Sequence, residues 1–251
     1  MSSAPAPKRV VPIRTPKHAP RPAPVHPFDR LHGTDTGGLI PRSGLLTGHA
    51  SDAHITAYYA VAPSILNALI DFWLGTHPEL PVDHYTFLDV GAGKARAMLT
   101  AAQHPFRQVV GIELNPALAA IARTNTLAFA SSPQADALAP ISLLEGDALE
   151  VPLPSGPILA FLFHPFEAPL LRRFLSRIVQ HRAATRLDIL YVNAEHAAIF
   201  DRNPAFTRVF YGMIPMSAED HLADLAEIAE QKEYGSTGDE LCAIYRLTST
   251  A

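Results

Sequence analysis

From residue 85 onward the chain alternates between two hydrophobic patterns. Short, nearly continuous apolar runs at Thr86–Val90, Gln108–Glu113, Ile141–Glu145, Ile158–Phe163 and Leu187–Val192 have strand length and the Val, Ile, Leu and Phe content of strands covered on both faces. Between them, apolar residues recur at three- and four-residue spacing, which predicts helices over 94–103, 116–129, 168–181 and, more briefly, 196–201. Asn115 and Pro116 open the second of these as cap and first helical residue, because proline lacks only an N–H that a first turn leaves unpaired. Toward the end, 207–212 and 241–247 predict two further strands around an amphipathic helix at 218–232. This alternation specifies an α/β fold, a mostly parallel seven-stranded sheet flanked by crossover helices.

Ahead of that domain, which spans 85–251, the pattern changes twice. Residues 28–48 are polar and dotted with glycine, and Tyr58, Val61, Ile65, Leu69 and Phe72 then recur three or four apart, predicting a helical region over 50–74 divided at Pro63. Residues 28–84 are thus expected to form an N-terminal helical extension or lid. Residues 1–27 hold eight prolines, five basic residues and no acid, which predicts a disordered tail. With no aromatic residue in it to stack on bases, a solvated tail is favoured over a nucleic-acid contact.

At 251 residues and 48% hydrophobic content the chain suits one domain with a full core. No apolar run approaches the ~18 residues of a membrane span and no signal-peptide segment opens the chain, so no membrane association and a cytoplasmic location are expected. The one cysteine, Cys242, sits in an apolar run and is expected to be a small core residue. Among the twelve histidines, only His49 and His54 with Asp52 cluster tightly, and their spacing fits no metal motif. The arginines Arg172, Arg173 and Arg177 are expected to lie on a solvated helix face, and the 218–232 helix is assigned the same role.

Chemistry enters at Phe87-Leu-Asp-Val-Gly-Ala-Gly-Lys94, where a strand ends at Asp89 and two glycines make a tight turn before a helix. Lacking Cβ, glycine allows positive φ and lets a ligand lie on the backbone. About 20 residues on, Glu113 ends the next strand, where a carboxylate can accept both hydroxyls of a ribose. A dinucleotide fingerprint requires a small residue where Arg96 stands, which argues against a nicotinamide-dependent oxidoreductase, and the spacing of a phosphate-binding P-loop is absent.

On Asp89, Gly91, Gly93 and Glu113 the sequence resembles the class I, Rossmann-like S-adenosylmethionine-dependent methyltransferases. It is also similar to uncharacterised bacterial class I domains with an Asp-Thr-Gly-Gly-Leu segment, here Asp35–Leu39, and to lysine methyltransferases with a Gly-x-Glu-Leu-Asn-Pro second strand, here residues 111–116. The resemblance implies the strand order 3-2-1-4-5-7-6 and S-adenosyl-L-methionine as cofactor. It implies that Asp89 meets the methionine ammonium, that Gly91, Ala92 and Gly93 offer N–H groups to its carboxylate, and that Glu113 holds the ribose. Asp147 and the N–H of Ala148 are implied for the adenine, with Glu145 a competing acid and a plain turn cap the alternative for Asp147.

After the fourth strand, His164-Pro165-Phe166 resembles the Asn-Pro-Phe element of amine-methylating relatives with histidine in place of the amide. His164 is therefore either catalytic, positioning or accepting a proton from the acceptor, or a structural histidine. Pro165 and Phe166 are substrate-side candidates, with core packing the alternative for Phe166, and Tyr58 and Tyr59 are lid residues that border the site or pack in a plain helix. The expected function is methyl transfer to an unidentified acceptor, for which an amine of a protein or small molecule is admissible. The alternative is a regulatory protein that binds the cofactor without catalysis.

Overall fold

The computed structural model describes residues 25–132, 138–181, 186–229 and 235–248, so residues 1–24 of the disordered tail expected over 1–27 lie outside the described residues, while its last residues are corrected: His26 is buried and Pro27 opens a helix. Seven strands form one sheet: β1 (Thr86–Val90), β2 (Gln108–Glu113), β3 (Ile141–Glu145), β4 (Ile158–Phe163), β5 (Leu187–Val192), β6 (Phe206–Pro215) and β7 (Asp239–Leu247). Their spatial order is β3-β2-β1-β4-β5-β7-β6, the order the methyltransferase resemblance implies. The first five run parallel, and β7 is antiparallel to both β5 and β6. Strands β6 and β7 extend past their apolar stretches because the pairing continues through Ile214↔Glu240 and Pro215↔Asp239.

Every residue of β1 and β5 is buried, and alternate side chains feed two cores. On one face Phe87, Phe161 and Leu190 meet helices α2 (Pro63–Gly75), α3 (Arg96–Ala101) and α4 (Pro116–Ala130). On the other, Leu88, Leu162 and Ile189 meet α5 (Ala168–His181) and α6 (Ala197–Asp201). Two-sided cover explains why these strands appear as continuous apolar runs. Asp188 is a buried acid on β5 whose carboxylate accepts from Trp73 Nε1 at 2.7 Å and from Arg246 Nε at 3.1 Å, so its desolvation is compensated. Cys242 is fully buried in β7, and burial pushes its thiol up to about 12.

The first half of the predicted 50–74 helical region is not α-helical. Ala50–His54 is a 3-10 turn, and the following residues run extended, bridging Ile40 to Tyr58 and Ile55 to Phe166. β-Branched and aromatic residues (Ile55, Thr56, Tyr58, Tyr59, Val61) favour this form, and Pro63 restricts Ala62 to φ −64°, ψ 132° before opening α2 at its first position. The periodicity of Tyr58 and Val61 was thus not helical. The helix after the glycine turn starts at Arg96 rather than 94, because Ala95 takes φ 80°.

Two further expectations are corrected. Helix α7 (Ala218–Glu227) does not present a solvated acidic face: Asp220 and Asp224 are buried, whereas Leu222 is 70% exposed. Arg177 is not solvated either, since its guanidinium donates to the carbonyls of Ala148 and Val151 and braces the loop after β3. At the start of the described chain, helix α1 (Pro27–His32) is capped by the buried His26, whose Nδ1 accepts from the N–H of Phe28 at 3.1 Å.

Candidate functional site

The carboxyl ends of β1 and β4 are adjacent, and a cavity of about 120 Å³ opens there, walled by the 91–93 loop on one side and Phe163, Pro165 and Phe166 on the other. Gly91 (φ 79°) and Gly93 (φ 55°) both take left-handed backbone. Space forbids a side chain as well. A Cβ on Gly93 would overlap the Tyr58 ring, and one on Gly91 would press on Pro165 at 3.0 Å. The loop amides are not free donors, however. Those of Gly91 and Ala92 both go to the carbonyl of Ile112 at 2.9 Å, and that of Gly93 goes to Glu113 Oε2 at 2.7 Å. A carboxylate therefore finds no unpaired N–H on these three residues, which corrects that part of the expectation.

Glu113 also accepts from the N–H of Asn115 at 2.8 Å, so its carboxylate ties the glycine loop to the turn after β2 and keeps one lone-pair direction per oxygen for a ligand. Burial pushes its pKa up, and the three backbone N–H groups around it pull it back. Asp89 has no such help. It is 3% exposed, its Oδ2 is buried without a hydrogen-bond partner among the described residues, and burial followed by the neighbouring Glu113 raises its pKa to about 8. Both acids line the cavity.

Asp147 and Ala148 line it too. Asp147 Oδ1 accepts from the N–H of Leu149 at 2.7 Å, the turn-cap geometry, while Oδ2 accepts from Ser51 Oγ at 2.9 Å. Glu145, its competitor, points to Arg123 on the surface at 2.7 Å. Ser51 belongs to a strap, residues 45–59, that crosses the mouth of the cavity. Asn115 Nδ2 donates to the carbonyl of Leu45, Thr56 Oγ1 to the carbonyl of His164, and the N–H of Glu167 to the carbonyl of His54.

His164 itself has φ 41°, a left-handed conformation uncommon for a histidine. Its ring turns toward β5: Nδ1 lies 3.2 Å from the Tyr191 hydroxyl, Nε2 lies 3.7 Å from Glu195, and the imidazole is not among the cavity walls. Burial lowers its pKa, with Glu195 opposing and His196 reinforcing. Tyr58 lies on the cofactor-loop side, its ring over Gly93 and its hydroxyl donating to the carbonyl of Thr36 at 2.7 Å.

Several wall residues were not singled out from the sequence: Ser51, Ile55, Thr56 and, as a structural cation, Arg96, whereas Tyr59, read with Tyr58 as a residue that borders the site or packs, does line the cavity. Arg96 is 1% exposed. Its Nε donates to Thr36 at 2.7 Å and its Nη2 lies 3.6 Å from Asp29 and 3.4 Å from Glu227, so it fixes the segment before the strap to α3 and α7. The signal available for the strap was its extended-type composition just ahead of Pro63.

No protein-family model and no curated protein sequence matches the chain. Solved structures similar to it include TrmN from Thermus thermophilus, 18% identical over 75% of this chain with a TM-score of 0.46; the match spans about half, 49%, of that protein. An RNA methyltransferase from Salinibacter ruber in complex with S-adenosyl-L-homocysteine is 14% identical over 76% of this chain and 95% of its own, with a TM-score of 0.46. Magnesium protoporphyrin IX methyltransferase from Synechocystis, solved with bound S-adenosylmethionine, is 12% identical over 74% of this chain and 79% of its own, with a TM-score of 0.47.

Proposed function

We propose that this protein is a methyltransferase that binds S-adenosyl-L-methionine in the cavity between β1 and β4. The observation that carries the proposal is Asp89, a buried carboxyl with an unpartnered oxygen in the cavity wall. A buried polar atom left without a partner requires an explanation, and a ligand that completes it supplies one. An ammonium suits it, because a cation beside a desolvated carboxylate restores the charged form. Glu113 stands one strand away with acceptor capacity for ribose hydroxyls, and Asp147 borders the same space for the adenine edge.

When bound, the cofactor supplies a methyl group on a positively charged sulfur, which leaves without acid catalysis. What the chain adds is alignment and exclusion of water. The two glycines let Tyr58 and Pro165 close on the loop, Pro165 and Phe166 form the acceptor-side wall, and the strap roofs the cavity through Ser51 and Thr56. His164 holds Thr56 through its carbonyl, so it shapes the site by its backbone.

A second reading, a protein that binds the cofactor without transferring the methyl group, is favoured by one observation: the imidazole of His164 faces Tyr191 and not the cavity. Titration calorimetry with S-adenosylmethionine and S-adenosylhomocysteine tests what both readings share. Labelled-methyl transfer to a cell extract separates them, being expected for the enzyme only. A folded protein that binds neither compound refutes both.

A further inference from the structure

The face of a glycine loop that meets a ligand is here covered by the chain itself. No Cβ fits between Gly93 and the Tyr58 ring, and Pro165 presses on Gly91. Tyr58 is 8% exposed and packs with Leu45 and Leu118 in a small apolar cluster separate from the two main cores. The cavity that remains, about 120 Å³, is well below the ~300 Å³ at which pockets for drug-sized ligands begin. A nucleoside carrying an amino-acid arm therefore enters only when a wall gives way.

The walls differ in how they are held. Asp89 and Glu113 belong to β1 and β2, which pair with each other inside the sheet. Tyr58 lies on the strap, joined there to Ile40 by an isolated bridge. Its hydroxyl donates to the carbonyl of Thr36 at 2.7 Å, and Thr36 is fixed in turn, its Oγ1 donating to Asp29 at 2.6 Å and accepting from Arg96 Nε at 2.7 Å. On the loop side, Lys94 Nζ stands 5.8 Å from the Tyr58 ring centroid and donates to the carbonyl of Gly37 at 2.8 Å. The N–H of Lys94 is directed at the phenol oxygen: burial raises the pKa of Tyr58, and Arg96 and this N–H pull it back. With Gly91 and Ala92 bonded to Ile112 and Gly93 to Glu113, the four amides of the loop are thus engaged from inside the protein, the last of them by the strap.

From the ring seated on Gly93, the small cavity and the engaged loop we infer that Tyr58 is a built-in plug at the end of the site that the amino-acid arm of S-adenosylmethionine takes, and that the cofactor binds by displacing it. The inference rests on the methyltransferase reading above and adds a closed state to it. In that state the phenol stands in for the arm, its oxygen at the N–H of Lys94 where a carboxylate oxygen would accept. Entry of the arm exchanges this contact for one to the ligand and gives up the bond to Thr36. Because only molecules with the plug withdrawn take the cofactor, the apparent affinity is the intrinsic one reduced by their fraction. Weakening the plug then tightens binding, the opposite of what removing a ligand contact does.

Calorimetry tests this with S-adenosylhomocysteine and with 5′-methylthioadenosine, which has the nucleoside and the sulfur without the amino-acid arm, on the full chain and on its Tyr58→Phe and Tyr58→Leu variants. Tyr58→Phe keeps the ring and loses the hydroxyl bond, whereas Tyr58→Leu removes the ring as well. Tyr58→Phe is expected to bind S-adenosylhomocysteine about three- to tenfold more tightly, the scale of one hydrogen bond lost from the closed state, and Tyr58→Leu at least as tightly. Affinity for 5′-methylthioadenosine, which leaves the plug in place, should be unchanged. Unchanged or weaker binding of S-adenosylhomocysteine by Tyr58→Phe overturns the plug, and equal tightening for both ligands overturns its place at the arm. Tyr58→Leu carries the same decision should Tyr58→Phe fail to fold. Folded protein that binds neither compound, with or without the substitutions, overturns instead the cofactor reading beneath it.

Discussion

Asp89→Asn should gain stability relative to the unsubstituted protein as pH rises. The Asp89 carboxyl is buried, unpartnered on one oxygen and next to Glu113, and its pKa rises from 3.8 to about 8. A raised carboxyl pKa contributes stability that is fully present below the unfolded value and is lost as pH climbs through the folded value. Between those limits the unfolded chain has released the proton and the folded chain has kept it, so stability falls by about 1.4 kcal/mol per pH unit. From pH 5 to pH 8 this amounts to about 3–4 kcal/mol, allowing for the bend as the folded carboxyl itself begins to ionise. Asparagine does not titrate, and whatever constant cost or gain its amide brings cancels when slopes are compared. Urea denaturation of both proteins at half-unit pH steps measures the difference directly. It should grow in favour of Asp89→Asn by the stated amount across that range. Stability curves that stay parallel would show that the carboxyl is solvated or already compensated, and with it would go the reason for placing an ammonium there. Saturating S-adenosylhomocysteine should flatten the pH dependence of the unsubstituted protein, because a bound cation brings the carboxylate back toward its ordinary range.

Glu113→Ala is expected to weaken S-adenosylhomocysteine binding by about 1–3 kcal/mol in calorimetry, since it removes the proposed ribose acceptor and leaves the N–H groups of Gly93 and Asn115 without it; an unchanged dissociation constant refutes the ribose role. Arg96→Met should cost about 3–5 kcal/mol in urea denaturation by stranding Asp29 and Glu227 without their cation, and a loss under about 1 kcal/mol would mean these acids are not held by it. Gly93→Ala drives a methyl into the Tyr58 ring and should destabilise by about 1–3 kcal/mol, part of which Tyr58→Leu restores. Strict additivity of those two substitutions in a double-mutant cycle contradicts the contact.

The parts of the fold that were legible in the chain are those where burial is two-sided. Phe87, Leu88 and Val90 announce β1 because both cores claim them, and Pro116 marks the start of α4 because a proline tolerates few other places. Legibility fails where side chains answer to distant partners. Tyr58, Val61 and Ile65 are spaced like a helix face, yet the first two lie in extended chain pinned by Ile40 and Phe166. The acids of α7 resemble a solvated surface until Ser64, Arg96 and Tyr59, remote in sequence, are brought against them. The same holds in the site. Asp89, Glu113 and Asp147 follow from strand ends, whereas Ser51 and Thr56 depend on a strap whose path no local pattern fixes. His164 was conspicuous in sequence, and the direction of its ring follows from Tyr191 and Glu195, which local spacing does not reveal.

The strap touches the β3 loop through Ser51 and the β4 loop through Thr56, only five residues apart. If it is the roof over both ligands, they share one door. A protein built this way takes its substrates in sequence rather than at random: the partner lying deeper, against the glycine loop, must arrive before the roof settles and must depart last. Initial-rate kinetics with a dead-end cofactor analogue should therefore display compulsory order, and lengthening the chain between Ser51 and Thr56 should relax it.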